Sequence, residues 1–353
     1  MAKTDDGNAA KPDAPTPHRS VAIIGSGPTS RAIKRFLADE ADRHVVQVGL
    51  EFAPGTDLPC ALSAEIARCE ELVYVPNFDD LELALAAGRG RREALLNLTQ
   101  TVLDAARLAE IRHVVVITSA MVYGAQANRV PVADETPVAA EPDEGIVGDA
   151  LAIEALIEAA ECEVTVLRPA AVVGSGVDTA PVRHFAAPRI LVLRGVPIAW
   201  QFVHVDDVAS AVGHVLDHRL LGPVAVGAPG TLNQDDIETL SRMGHVEIPE
   251  SLALILAQRL YRVGALPMPP TDLLYVTRSW AVESNRLRDS GWNARYDNAQ
   301  CFRELLAESG KFHAVAGRRL AGKDAAALGV AGAAVALLGT AVAWRRARGN
   351  WRR

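Results

Sequence analysis

Short apolar runs alternate with amphipathic stretches along most of the chain, at a spacing that predicts a parallel, doubly wound sheet. Ser20–Ile24 is an apolar run that stops at Gly25, which reads as a buried strand ending in a turn. Ala32, Ile33, Phe36 and Leu37 then recur at helical spacing, predicting a helix over 29–38. Further strands are expected at 44–50, at 72–76, at 113–118 and at 163–168. Helices are expected over 91–109 and over 148–160. Strands separated by helices of this length form βαβ units, so the fold class is α/β, Rossmann-like.

Beyond Pro169 the rhythm loosens into a smaller, substrate-side lobe, mainly 170–200 and 228–296. Phe202–Val212 reads as a strand end followed by a helix, with Asp206 or Asp207 as its N-cap. Residues 233–243, 251–264 and 298–309 carry helical patterns. The main domain is thus expected over 20–310, behind a polar, Pro-rich tail at 1–19 that lacks the apolar residues to order itself. After a linker at 311–324, residues 325–344 are uncharged and built of Ala, Gly, Leu and Val, with Thr340 and Trp344. Twenty such residues match a bilayer span, and Trp344 beside Arg345 suits an interfacial anchor. The expectation is a cytoplasmic body anchored to the cell membrane by this helix. Its orientation stays open, because basic residues flank it on both sides.

Charge and cysteine content narrow the function. The 353 residues carry a formal net charge of −7, which argues against a nucleic-acid binder. The terminal stretch 345–353 holds five arginines and no acid, so the remainder is more acidic than the total. Cys60, Cys69, Cys162 and Cys301 form no Cys-x-x-Cys pair, and the nine histidines show no metal-ligand spacing, so no metal site is expected.

The candidate chemistry lies at strand ends. His113–Gly124 delivers Thr118 and Ser119 to the carboxyl end of a buried strand, where open α/β sheets hold their ligands. Gly25-Ser-Gly27-Pro-Thr-Ser-Arg31 is a glycine turn opening a helix, the arrangement that lets backbone approach a phosphate. Ser26, Thr29 and Ser30 are its candidate donors, and Arg31 is a candidate phosphate partner. Asn97–Val102, Leu167-Arg168-Pro169, Val173-Gly174, Phe202–Asp207 and Ser284-Asn-Arg-Leu with Gly291-Trp292 complete a series in a characteristic order.

Taken together, these segments resemble the extended short-chain dehydrogenase/reductase family, the NAD-dependent epimerases and dehydratases, from about Val21 to about Leu306. The Ala-, Arg- and Gly-rich composition is compatible with an actinobacterial branch. The resemblance implies NAD or NADP as cofactor and a small polar substrate such as a nucleotide sugar. It implies cofactor contacts from Gly25, Ser26, Gly27, Thr29, Ser30 and Arg31, from Glu51 after the second strand, from Val75 and Pro76 after the third, and from Thr118 and Pro169. Substrate contacts are implied for Asp178, Arg183 and His184, and a homodimer through the long helices. Ser119 takes the position of the catalytic serine. The family's Tyr-x-x-x-Lys pair is replaced by Ile146 and Ala150, in Gly145–Glu154. Asp149 and Tyr123 are the candidate substitute bases. Three functions stay open: an oxidoreductase or isomerase with a remodelled site, a nucleotide-binding sensor without turnover, and a membrane-anchored scaffold.

Overall fold

The computed structural model describes residues 19–319 except 41, 51–55, 77, 82–89, 128–129, 141–144, 188 and 263–268, and side chains up to Ser309. Six parallel strands form the main sheet: β1 (Arg19–Ile24), β2 (Arg43–Val48), β3 (Glu71–Tyr74), β4 (His113–Ile117), β5 (Val164–Pro169) and β9 (Gly222–Val226). Their order is β2-β1-β3-β4-β5-β9. Between β2 and β3 the described chain forms one helix, α2 (Leu58–Ile66), and no further strand.

Alternation along the strands builds two cores. Val21, Ile23, Val73, Val115 and Leu167 face α1 (Pro28–Ala38) and α6 (Val205–His218). Ala22, Ile24, Leu72, Val114 and Val116 face α2, α3 (Arg91–Leu108) and α4 (Ile146–Glu158). The inner strands β1, β3 and β4 are therefore apolar on both faces, as a doubly covered parallel sheet requires, while the edge strand β2 is only partly buried. Gly213 lets α1 and α6 pack closely, since a Cβ there would lie 2.7 Å from the Phe36 ring.

The second lobe is made of short pieces. Two-stranded parallel pairs join β6 (Ala171–Val173) to β8 (Phe202–His204) and β7 (Ile190–Leu193) to β10 (His245–Ile248). The helix α5 (Ala180–Phe185) inserts Phe185 among Trp200, Phe202 and Phe302 at ring separations of 5.0–5.8 Å. Helices α7 (Gln234–Ser241), α8 (Glu250–Arg262), α9 (Leu274–Thr277), α10 (Asn285–Asp289) and α11 (Asn298–Arg319) complete it.

Three expectations change. The N-cap of α6 is His204, whose Nδ1 accepts from the Asp206 N–H at 3.2 Å. Asp207 instead accepts from the backbone N–H groups of Arg295 and Tyr296 at 2.8 and 3.1 Å, tying the second lobe to the sheet. The last helix runs to Arg319, into the stretch expected as a linker. The membrane-anchored localisation is overturned: among the described residues no helix is long and apolar enough to cross a membrane. The segment 325–344, the tail before residue 19 and the basic C-terminus lie outside the described residues.

Candidate functional site

The strand order reverses between β1 and β3, and the connections leaving their carboxyl ends part there to form the crevice of an open α/β sheet. The turn at 25–27, the segment after β3, Thr118-Ser119 after β4 and Pro169-Ala170 after β5 all reach it. A cavity of about 60 Å³ lies between them, bounded also by Thr179 and Trp280. Four hydroxyls line it (Thr29, Thr118, Ser119 and Thr179), and Asp79 is the one titratable side chain among its lining residues.

On the α1 side the local donors are turned inward. Gly25 has φ +141°, and a Cβ there would lie 2.7 Å from the Val75 carbonyl oxygen, so the turn itself demands glycine. The Ser30 hydroxyl donates to the Gly25 carbonyl at 2.8 Å, and Arg31 Nη1 donates to the Ser26 carbonyl at 2.8 Å. The Thr29 N–H donates to Asp79 Oδ2 at 2.6 Å. Gly27 caps α1 without a side-chain bond, so the Asp79 carboxylate supplies a cap from another element. Asp79 is 4% exposed, and its Oδ1 has no hydrogen-bond partner among the described residues. The Thr29 N–H, the Ser30 hydroxyl and Arg31 Nη1 are thus committed within the chain, and in this arrangement they do not serve a pyrophosphate. Glu51 lies outside the described residues.

On the α4 side every buried charge is paired. Ser119 Oγ accepts from the Met121 N–H at 3.2 Å and opens a short turn over Ala120–Tyr123. The Thr118 hydroxyl donates to Glu154 Oε1 at 2.7 Å. Arg168 grips the same carboxylate with both prongs, at 3.1 and 2.7 Å, and lies 4.9 Å from the centre of the Tyr123 ring. Asp149 is held by Arg91 at 2.5 Å and Arg92 at 2.7 Å. Tyr123 is fully buried, its hydroxyl donates to the Asp134 carbonyl at 2.7 Å, and burial pushes the phenol up from its ordinary range. Both substitute bases are therefore structural: Asp149 is neutralised by two guanidinium groups and Tyr123 packs in the core. Ile146 lines the cavity at the place where the resemblance puts the tyrosine.

The loop before α5 closes the third side. Thr179 caps α5, accepting from the Val182 N–H at 3.4 Å. Arg183 clamps Asp178 with two bonds of 2.7 and 2.6 Å, so its charge is answered inside the chain. His184 is 1% exposed and meets Phe185 edge-on at 5.0 Å. Neither ring nitrogen has a partner among the described residues, and burial pushes the imidazole down to about 4. The substrate contact expected of His184 is corrected accordingly: its ring is buried in the aromatic core.

Residues 92–227 match the NAD dependent epimerase/dehydratase family. Over this segment the chain is similar to that family. No curated protein matches the sequence. Among solved structures, a short-chain dehydrogenase/reductase superfamily protein from Agrobacterium tumefaciens with bound NAD is 17% identical, at a TM-score of 0.59 over 86% of this chain and 100% of that one. The human epimerase family protein SDR39U1 with NADPH is 16% identical, TM-score 0.59, over 82% and 99%. UDP-glucose 4-epimerase from Thermotoga maritima with UDP-glucose is 11% identical, TM-score 0.58, over 83% and 99%. At such identities the likeness is one of fold.

Asp79 is the site residue that the sequence reading missed. Its signal was positional: a Phe-Asp-Asp run directly follows the third strand, at the reversal point of the sheet.

Proposed function

We propose that this family member binds NAD(P) and a small polar ligand of the nucleotide-sugar kind without turning them over. One observation supports the reading: the carboxylates of α4 are paired with arginines and Thr118, on the helix where the resemblance sets Ile146 and Ala150 in place of the family's tyrosine and lysine. Ser119 therefore retains a hydroxyl at the cleft, and no Tyr or Lys is among the described residues that line the cavity with it. The cofactor class is supported by the NAD and NADPH of the structural neighbours, and the ligand class by the UDP-glucose of one of them. A dimer through the outer faces of α3 and α4 belongs to the same proposal, and sedimentation would read it.

The test uses the full chain. Calorimetric titration with NAD, NADH, NADP and NADPH should give binding of at least one. Incubation of that complex with UDP-sugars should leave the nicotinamide absorbance flat. Steady reduction or oxidation of the nicotinamide would end the non-catalytic reading.

A further inference from the structure

A helix begins with backbone N–H groups that have no partner inside the helix, at the positive end of its dipole. In nucleotide-binding α/β folds that end is where a pyrophosphate sits. Here α1 begins at Pro28 with no side-chain cap of its own, and the charge on its N-terminus comes from inside the chain. The Asp79 carboxylate, 50 residues away in sequence, accepts the Thr29 N–H in a buried bond of 2.6 Å.

The segment carrying Asp79 is itself fastened across the crevice. The Asp178 N–H donates to the Asp79 carbonyl at 2.9 Å, and the Leu81 N–H donates to the Asp178 carbonyl at 2.8 Å. On the far side Gly176 lies against the α1 turn, with its Cβ position 3.6 Å from Arg31 Nη2 and 3.8 Å from Pro28 Cγ. The turn, the segment at 79–81 and the loop at 176–179 thus meet over the place where the phosphates of a dinucleotide would run.

We propose that Asp79 decides what this cleft admits: its carboxylate fills the anion seat at the N-terminus of α1 and keeps a pyrophosphate out until the 79–81 segment moves. The inference rests on the dinucleotide-binding reading above and names the regulation of that same site. Two anions cannot share one N–H in a buried, low-dielectric place, because their repulsion adds to the loss of the bond. The plug is also only half satisfied. Asp79 Oδ1 is buried with no donor among the described residues, which disfavours the seated state and makes displacement by a better-matched anion feasible.

The experiment compares the full-length wild type with Asp79→Asn and Asp79→Ala, each checked for fold by circular dichroism. Asp79→Asn keeps the shape and an acceptor for Thr29 while removing the charge, so it covers the case in which Asp79→Ala fails to fold. Each protein is titrated with NAD, NADP and inorganic pyrophosphate. The expected result is at least tenfold tighter dinucleotide binding in both variants, about 1.4 kcal/mol. Pyrophosphate should bind the variants and compete with the dinucleotide. Equal affinity in all three proteins overturns the plug and leaves the cofactor reading standing. No binding by any folded protein removes both.

Discussion

Two walls of the same cleft treat their buried charges in opposite ways. Along α4, Glu154 is bonded by Thr118 and by both prongs of Arg168, while Asp149 accepts a hydrogen bond from Arg92 and pairs with Arg91 by charge alone, its Oδ2 having no hydrogen-bond partner among the described residues. Among the described residues, Asp79 leaves one oxygen unbonded along the facing wall, and in the aromatic core His184 leaves both ring nitrogens unbonded. A saturated buried network fixes one structure, whereas a half-satisfied group has a standing cost that a ligand or a movement can relieve. The difference contrasts the Glu154–Arg168 pair, whose bonds are complete, with Asp79, whose unbonded oxygen a ligand could engage. In relatives with the Tyr-x-x-x-Lys pair, the chemistry would be expected on the α4 side.

The largest effect should come from breaking the saturated wall. Arg168→Met leaves Glu154 buried without its cation, and removal of one partner of a buried pair costs about 3–5 kcal/mol. Urea unfolding of the full chain measures it. The double variant Glu154→Leu/Arg168→Met should recover most of that loss, since a buried pair is often worth no more than an apolar substitute. A loss under about 1 kcal/mol for Arg168→Met would mean that Glu154 finds water, and the contrast between the walls would weaken.

Gly25→Ala should come next, at about 1–3 kcal/mol, because φ +141° and a Cβ 2.7 Å from the Val75 carbonyl oxygen both oppose a side chain. The loss should appear with no dinucleotide present. A variant that unfolds like wild type yet loses NAD binding would return Gly25 to the ligand.

How much of this was legible in the sequence follows from sequence distance. Five of the six strands of the main sheet announced themselves, because apolar runs such as Val114–Ile117 are buried on both faces and need no partner to be recognised, whereas Gly222–Val226 went unread. The strand Ala171–Val173 was hidden, since three residues carry no period, whereas Phe202–His204 was read as a strand end ahead of its helix. Thr118 and Ser119 were placed at the cleft because a strand end and its hydroxyls are local. Asp79 was not, since its bond to Thr29 depends on how two crossovers fold back across the sheet. Asp149 reads as a free base until α3 brings Arg91 and Arg92 against it from 57 and 58 positions away. His184 sits in a loop-like polar sequence, and only the packing of α5 shows that it points inward.

His184 sharpens the contrast through pH. Its folded value of about 4 lies below the ordinary 6.5, so between those values the unfolded chain binds more protons than the folded one. Stability from this group is complete above about pH 6.5 and falls as pH drops toward 4. Its share of the loss between about pH 8 and pH 5 is about 2 kcal/mol. His113, also buried and pushed down to about 4, adds a loss of the same sign. The raised carboxyls Asp207 and Glu71 act in the opposite direction, favouring the folded state as they protonate. The readout is therefore a difference between variants: His184→Leu should show a shallower fall than wild type over this window. An identical slope would mean that His184 already has a partner in solution.

The smallest effect is expected at Ser119, the residue that the family resemblance makes catalytic. Its Oγ accepts one backbone N–H and is otherwise open to the cleft, so Ser119→Ala should cost about 0.5–1 kcal/mol of stability through the lost turn bond. Dinucleotide affinity should stay within about threefold, because one neutral hydrogen bond in a wet cleft contributes little net. The informative arm is the nicotinamide assay with UDP-sugars. If the α4 wall has given up its chemistry, wild type and Ser119→Ala give the same flat trace. Any turnover in wild type that falls in Ser119→Ala with affinity unchanged would be a loss in the transition state alone. Such a split would make the hydroxyl catalytic after all. It would also leave Asp79, the one titratable side chain among the described residues lining the cavity, as the group to test next for the proton.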